Sequence, residues 1–122
     1  METWPGSVNA DVVVMNHGLN DMLARDLDGY RAALEKLATA PAVVIFETQN
    51  AIDPWQGAPF AETMREVAKE HGLAVADTYA FTVDKTDPLS DWGHPTDALY
   101  ASISAHVVQP AVAPVVAALL CR

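Results

Sequence analysis

Two short stretches carry residue types from which a catalytic site could be assembled. In Asp91-Trp92-Gly93-His94-Pro95 a carboxylate stands three residues ahead of a histidine. On a loop leading into a helix, such a carboxylate can hold the imidazole in one tautomer and stabilise its protonated form, as a general base requires. A loop histidine is ordinarily only solvated. The spacing from Asp91, the proline and the helix behind it single out His94. The other stretch, Asp11 to Asp21, is an apolar run that stops abruptly in the polar turn Asn16-His17-Gly18-Leu19-Asn20-Asp21. Parallel α/β sheets bind ligands outside the carboxyl ends of their strands, so this turn is a second place to expect chemistry.

The elements that must position these residues follow from hydrophobic periodicity. Met1 to Ala10 reads as a loop. Asp11–Asn16, rich in β-branched residues, reads as a buried strand. Asp21 is a plausible helix N-cap. Leu23, Leu27, Tyr30, Leu34 and Leu37 then recur at helical spacing, with Arg25, Asp28, Arg31, Glu35 and Lys36 on the wet side. Ala42–Phe46 is a second strand, opening into Glu47-Thr48-Gln49-Asn50. A helix is expected from Pro59, with Phe60, Met64, Val67 and Ala68 on its inner face and Gly72 as its left-handed stop. Leu73–Asp77 is a third strand, followed by a long loop from Thr78 to Gly93, a helix from about Thr96 and a final apolar helical segment. Strands alternating with helices imply a parallel sheet with helices on its faces, here as one domain over residues 1–122.

Composition narrows the function classes. The chain has 122 residues, 51% of them hydrophobic, and a net charge of −9. That charge opposes binding to nucleic acid and to anionic membrane surfaces, and its scattered acidic residues read as a solvated surface. Cys121 is the sole cysteine, which excludes an internal disulfide framework and a cysteine zinc cluster. No signal peptide is legible. The uncharged run Val107–Leu120 contains Pro110 and Pro114 and is too short to span a bilayer, so it is expected to pack on the sheet. His17 could line a pocket. His71 sits at a helix end, where a cation is favourable. His106 reads as structural. His17 and Asp21 straddle a glycine turn rather than a helix face, which is poor geometry for zinc with Asp91 and His94, so no metal is expected.

Gly18-Leu19-Asn20-Asp21 and Asp91 to Pro95 together resemble the third and fifth sequence blocks of the SGNH (GDSL-type) esterase and lipase superfamily. The resemblance runs from about Asp11 to the end. It implies a three-layer α/β/α, flavodoxin-like fold, and an ester hydrolase that attacks its substrate with a serine and needs no cofactor. Carried over residue by residue, it makes Asn20 an oxyanion donor aimed by the Gly18 turn, His94 the base and then acid, and Asp91 its orienter. One such oxyanion donor can be worth roughly 3–4 kcal/mol. It also implies that the chain starts just before the third strand of a five-stranded sheet, with the first two strands absent.

The family's Gly-Asp-Ser nucleophile block has no counterpart here. Ser7 lacks a strand before it, Ser90 is on the wrong side of the site, Ser102 and Ser104 fall in the last helices, and Cys121 has no base near it. The expectation is therefore the C-terminal part of an SGNH-type hydrolase, inactive or nearly so alone. The alternative is a non-catalytic module using the same cleft for a carbohydrate or acyl group, or a self-associating fragment, since Asp11–Asn16 without its neighbour would be an unpaired edge. Asn50, Trp55 and Trp92 are further candidates for lining the pocket around a small ester substrate.

Overall fold

The computed structural model describes residues 12–16, 26–51, 54–85 and 94–121, with the side chains of 54–56 left aside. Three strands, β1 (Val12–Asn16), β2 (Val43–Glu47) and β3 (Val75–Ala76), form a parallel sheet in the order β1-β2-β3. Val12 stands opposite Val43 and Asn16 opposite Glu47; Phe46 and Glu47 stand opposite Val75 and Ala76. The third strand is shorter than its apolar pattern suggests, although Thr48 N–H still donates to the Ala76 carbonyl at 3.0 Å just beyond it.

Side chains alternate across a strand, so each strand contributes to two different layers. On one face Val13, Met15, Val44, Phe46 and Val75 pack with helices α1 (Leu27–Ala38) and α2 (Pro54–His71). The periodicity places α1 correctly: Tyr30, Leu34 and Leu37 are all buried. Its described start is capped by Asp26, whose side chain accepts the Gly29 N–H at 3.0 Å; Asp21 and Leu23 lie outside the described residues. The inner face of α2 also follows the sequence, with Phe60, Met64, Val67 and Ala68 buried, and Gly72 stops it at φ +68°.

The α2 boundary differs from the sequence reading. The helix starts at Pro54 rather than Pro59, so Pro59 lies inside it. Pro59 lies past the four N–H groups that a helix start leaves unpaired, so it removes an intrahelical hydrogen bond, a cost the helix bears. The Pro59 carbonyl also accepts the Thr63 hydroxyl at 2.8 Å. The expected loop after Thr78 likewise holds a short helix, α3 (Thr78–Thr82), capped by Asp77.

The other face of the sheet is covered differently. Helix α4 (Asp97–Ile103), capped by Thr96, runs through a wide π turn (Ser104–Val108) into α5 (Gln109–Leu120) without interruption. In the π turn the Gln109 N–H donates to the Ser104 carbonyl, five residues back. Pro110 explains the widening. Its ring would strike the carbonyl four residues earlier in a regular helix, and it has no N–H to offer. The final apolar run is thus not a separate short segment. It belongs to a helix of 24 residues, Asp97–Leu120, long and apolar enough to cross a membrane by length and composition. Nor does it pack as a core helix: α5 meets β3, and Val115 and Leu119 line a cleft shared with Leu73 and Ala74, but none of the α5 residues is fully buried.

Candidate active site

The described polar residues gather at the carboxyl ends of the strands. Glu47 closes β2, and Thr48, Gln49 and Asn50 follow it; Asp77 and Thr78 follow β3. Thr48 and Thr78 tie these segments together. The Thr48 hydroxyl donates to Asp77 Oδ1 at 3.0 Å and accepts the Tyr79 N–H at 2.8 Å. The Thr78 hydroxyl donates to Glu47 Oε2 at 2.6 Å. Thr82 fixes the next residue out, accepting the Ala51 N–H at 2.9 Å while donating to the Thr78 carbonyl at 2.8 Å. From β1, the Asn16 side-chain amide reaches the Thr48 carbonyl at 3.4 Å.

Asp77 anchors this end of the sheet to α2. Arg65 Nε donates to Asp77 Oδ2 at 2.8 Å and Nη2 to Oδ1 at 3.0 Å, a two-pronged pair. Burial pushes the Asp77 carboxyl up, but the hydrogen bonds from Arg65, the Ala80 N–H and Thr48 outweigh it and hold its pKa below the ordinary value. The Arg65 guanidinium is raised chiefly by its hydrogen bonds to Asp77.

Above these loops lies a cavity of about 320 Å³, walled by Asn16, Glu47, Gln49, Asn50 and Thr78 on the sheet side and by Tyr100, Ile103, Ser104 and Val108 on the helix side. Asn50 is buried there, accepting from Gln49 Nε2 at 2.6 Å. His94 is exposed and stands just ahead of buried Pro95 and of Thr96, whose hydroxyl accepts the Leu99 N–H at 3.3 Å to start α4. Of the residues singled out in the sequence, the structure therefore places His94 at the approach to α4 and Asn50 in the cavity. Trp55 lies in the first turn of α2. His17, Gly18, Asn20, Asp91 and Trp92 lie outside the described residues, as do Ser7 and Ser90. Ser102 and Ser104 are in the last helix, as expected. His71 ends α2, and His106 is exposed in the π turn with its ring 6.0 Å from that of Phe81.

A model of the GDSL-like lipase/acylhydrolase family matches residues 2–101. The chain belongs to that family. Two solved structures share the fold of this GDSL-like chain. LAE5, an alpha/beta hydrolase enzyme from the metagenome of Lake Arreo, Spain, is 22% identical with a TM-score of 0.65, over 83% of this chain and 59% of that one. A mutant of Axe2, an acetyl-xylooligosaccharide esterase from Geobacillus Stearmophilus, is 21% identical with a TM-score of 0.69, over 84% of this chain and 59% of that one. The GDSL-like chain thus spans about three fifths of the length of each structure it resembles. No curated protein matches it. The α/β architecture with a parallel sheet agrees with what the sequence implies.

Sequence reading missed Glu47, Thr78 and Tyr100 as cavity residues. Glu47 and Thr78 carried a signal that was available: each sits at or just beyond the carboxyl end of an apolar strand, where parallel sheets hold their ligands. Tyr100 carried none, because only the tertiary fold brings the second turn of a helix over those strand ends.

Proposed function

We propose that this chain is the C-terminal part of a serine-dependent ester hydrolase of the acyl or acetyl esterase or lipase type. The family match over residues 2–101, which takes in both Gly18–Asp21 and Asp91–Pro95, carries this reading. In the mechanism His94 takes the proton of the attacking serine and returns it to the leaving alcohol. Asp91 orients the imidazole and stabilises its cationic form, and Asn20 joins backbone N–H groups around the oxyanion. The serine comes from a segment that precedes this one in the complete enzyme. The Axe2 likeness makes an acetylated xylooligosaccharide a sensible second substrate to try.

The test is turnover of p-nitrophenyl acetate by the 122-residue chain beside its His94→Ala variant. The two are expected to run at the same background rate. Extension with an upstream in-frame Gly-Asp-Ser segment should restore turnover that His94→Ala abolishes. If the extended chain stays inactive toward every acyl ester tried, the hydrolase reading is wrong. Activity of the short chain that depends on His94 would mean that it holds its own nucleophile.

A second reading concerns partners. Among the described residues β1 pairs only with β2, and Val14 of β1 is exposed. An unpaired apolar edge invites another strand, so we propose that the isolated chain self-associates there. Sedimentation velocity that gives a monomer at high concentration would refute it.

A further inference from the structure

The cavity at the strand ends has a chemistry of its own, beyond the hydrolytic reading. Its walls hold no Lys, Arg or His among the described residues, and its one ionisable carboxylate is Glu47. An anion would meet a negative charge there without a counter-charge, which disfavours phosphate or a carboxylate ligand. A simple ammonium ion would satisfy Glu47 but offer no acceptor to the amide N–H groups of Gln49, since it has only donors. A metal ion has one carboxylate to hold it, and among the described residues no three of His, Cys, Asp and Glu converge.

Hydroxyl groups fit both halves of this lining, because each donates one proton and accepts through oxygen. Glu47 is already held in place: Oε2 takes the Thr78 hydroxyl at 2.6 Å, while Oε1 receives no hydrogen bond from the described residues. The far wall is different. Tyr100 is 50% exposed and presents an aromatic ring, with Ile103 and Val108 beside it. A carboxylate and amides facing an aromatic ring across a few hundred cubic ångströms suit a ligand that is polar at its rim and apolar on its faces.

We propose that this cavity binds a polyhydroxylated ring of the pyranose type, with Glu47 Oε1 accepting from its hydroxyls and Tyr100 covering one apolar face. The binding stands whether or not the chain takes part in ester hydrolysis. If it does, the ring is the alcohol side of the ester, a statement that rests on the hydrolase reading.

The experiment is an NMR titration of the 122-residue chain with D-xylose, and with cyclohexanol as a ring of similar size bearing a single hydroxyl. D-xylose is expected to shift the side-chain amides of Gln49 and Asn50 and the backbone amide of Thr78 saturably, and cyclohexanol to leave them in place. Glu47→Gln should weaken binding several-fold to about tenfold, because the amide oxygen still accepts a hydroxyl but without the charge that strengthens the bond. Tyr100→Leu, which keeps a bulky apolar wall, should weaken it several-fold. Each variant is accepted only if its circular dichroism and melting match the parent; Tyr100, being half exposed, provides the reading if Glu47→Gln melts early. No saturable shift with D-xylose overturns the proposal. So do equal responses to both rings, unchanged affinity in both variants, or saturable binding of n-butylamine in place of xylose. Loss of hydrolysis in the extended enzyme with xylose binding retained would refute the hydrolase reading alone.

Discussion

The two faces of the sheet are built on opposite terms. Under α1 and α2 the side chains interlock: Leu34, Phe46, Met64 and Val67 are each 0% exposed. Under α4 and α5 the cover is partial. Leu99 and Ile103 of α4 are buried, but α5 has no buried residue, and Leu120 at its end is 81% exposed. One face is a finished core; the other is a helix resting on a sheet, with Val116 of α5 37% exposed. Apolar burial is the dominant favourable term in folding, so the stability of this chain should be concentrated on the first face.

The sharpest test of that contrast is a truncation on the sealed face. Met64→Ala should cost about 2–5 kcal/mol, read by urea denaturation, because a fully buried methionine leaves a cavity its neighbours cannot fill. A cost below about 1 kcal/mol would mean that this face is loosely packed after all. Next in size is Gly72→Ala at the end of α2. Its φ of +68° leaves open space around a Cβ but strains any L residue, at about 1–2 kcal/mol. A neutral outcome would mean that the turn relaxes.

The carboxyl end of the sheet should show the contrast through pH. Asp77 is held below its ordinary pKa in the folded chain, so as pH falls the unfolded chain takes up its proton first. Stability from this group is therefore complete above the unfolded carboxylate pKa of about 3.9 and fades as pH drops through the lower folded value. Because the side chains of the pair are more than a third exposed, the effect is modest. Asp77→Asn should lower stability at neutral pH and flatten the acid slope of the melting temperature; an unchanged slope would show that other carboxylates set it.

Two changes should barely register. Val116→Ala on the open flank of α5 should stay within about 0.5 kcal/mol. A large loss there would show that something covers that flank. Arg31 contacts Glu66 at 3.0 Å, Glu70 at 2.7 Å and Glu35 at 3.5 Å, yet it lies at the surface, where salt and water weaken such pairs. Arg31→Ala should leave the melting temperature nearly unchanged in physiological salt.

How much of this was legible from the amino acids depends on what each residue depends on. The α1 and α2 stripes were readable because a residue such as Leu34 or Met64 is buried by the period of its own helix. Gly72 was readable because a positive φ selects its residue type. The start of α2 was not: Pro59 is an acceptable first residue of a helix, and nothing local says that a turn of helix already precedes it. The exposure of α5 was equally hidden, because an apolar sequence states a preference for burial and cannot state what is there to provide it. For the site, the family resemblance was legible in two short motifs and agrees with the family match. The cavity around Glu47 was not, since four separated segments meet to form it.

The wide turn at Ser104–Val108 sets the clock of the last helix. In a regular helix each residue advances roughly 100°, so Leu119, twenty positions after Leu99, would point about 200° away from it. One extra residue held in the wide turn winds this back by roughly 100°, and Ala111 and Val115 return to the quadrant of Leu99 and Ile103. The same sequence without that slack would press its other flank to the sheet. A single backbone irregularity thereby decides which apolar stripe of α5 meets β3 and which is left for the solvent or a partner.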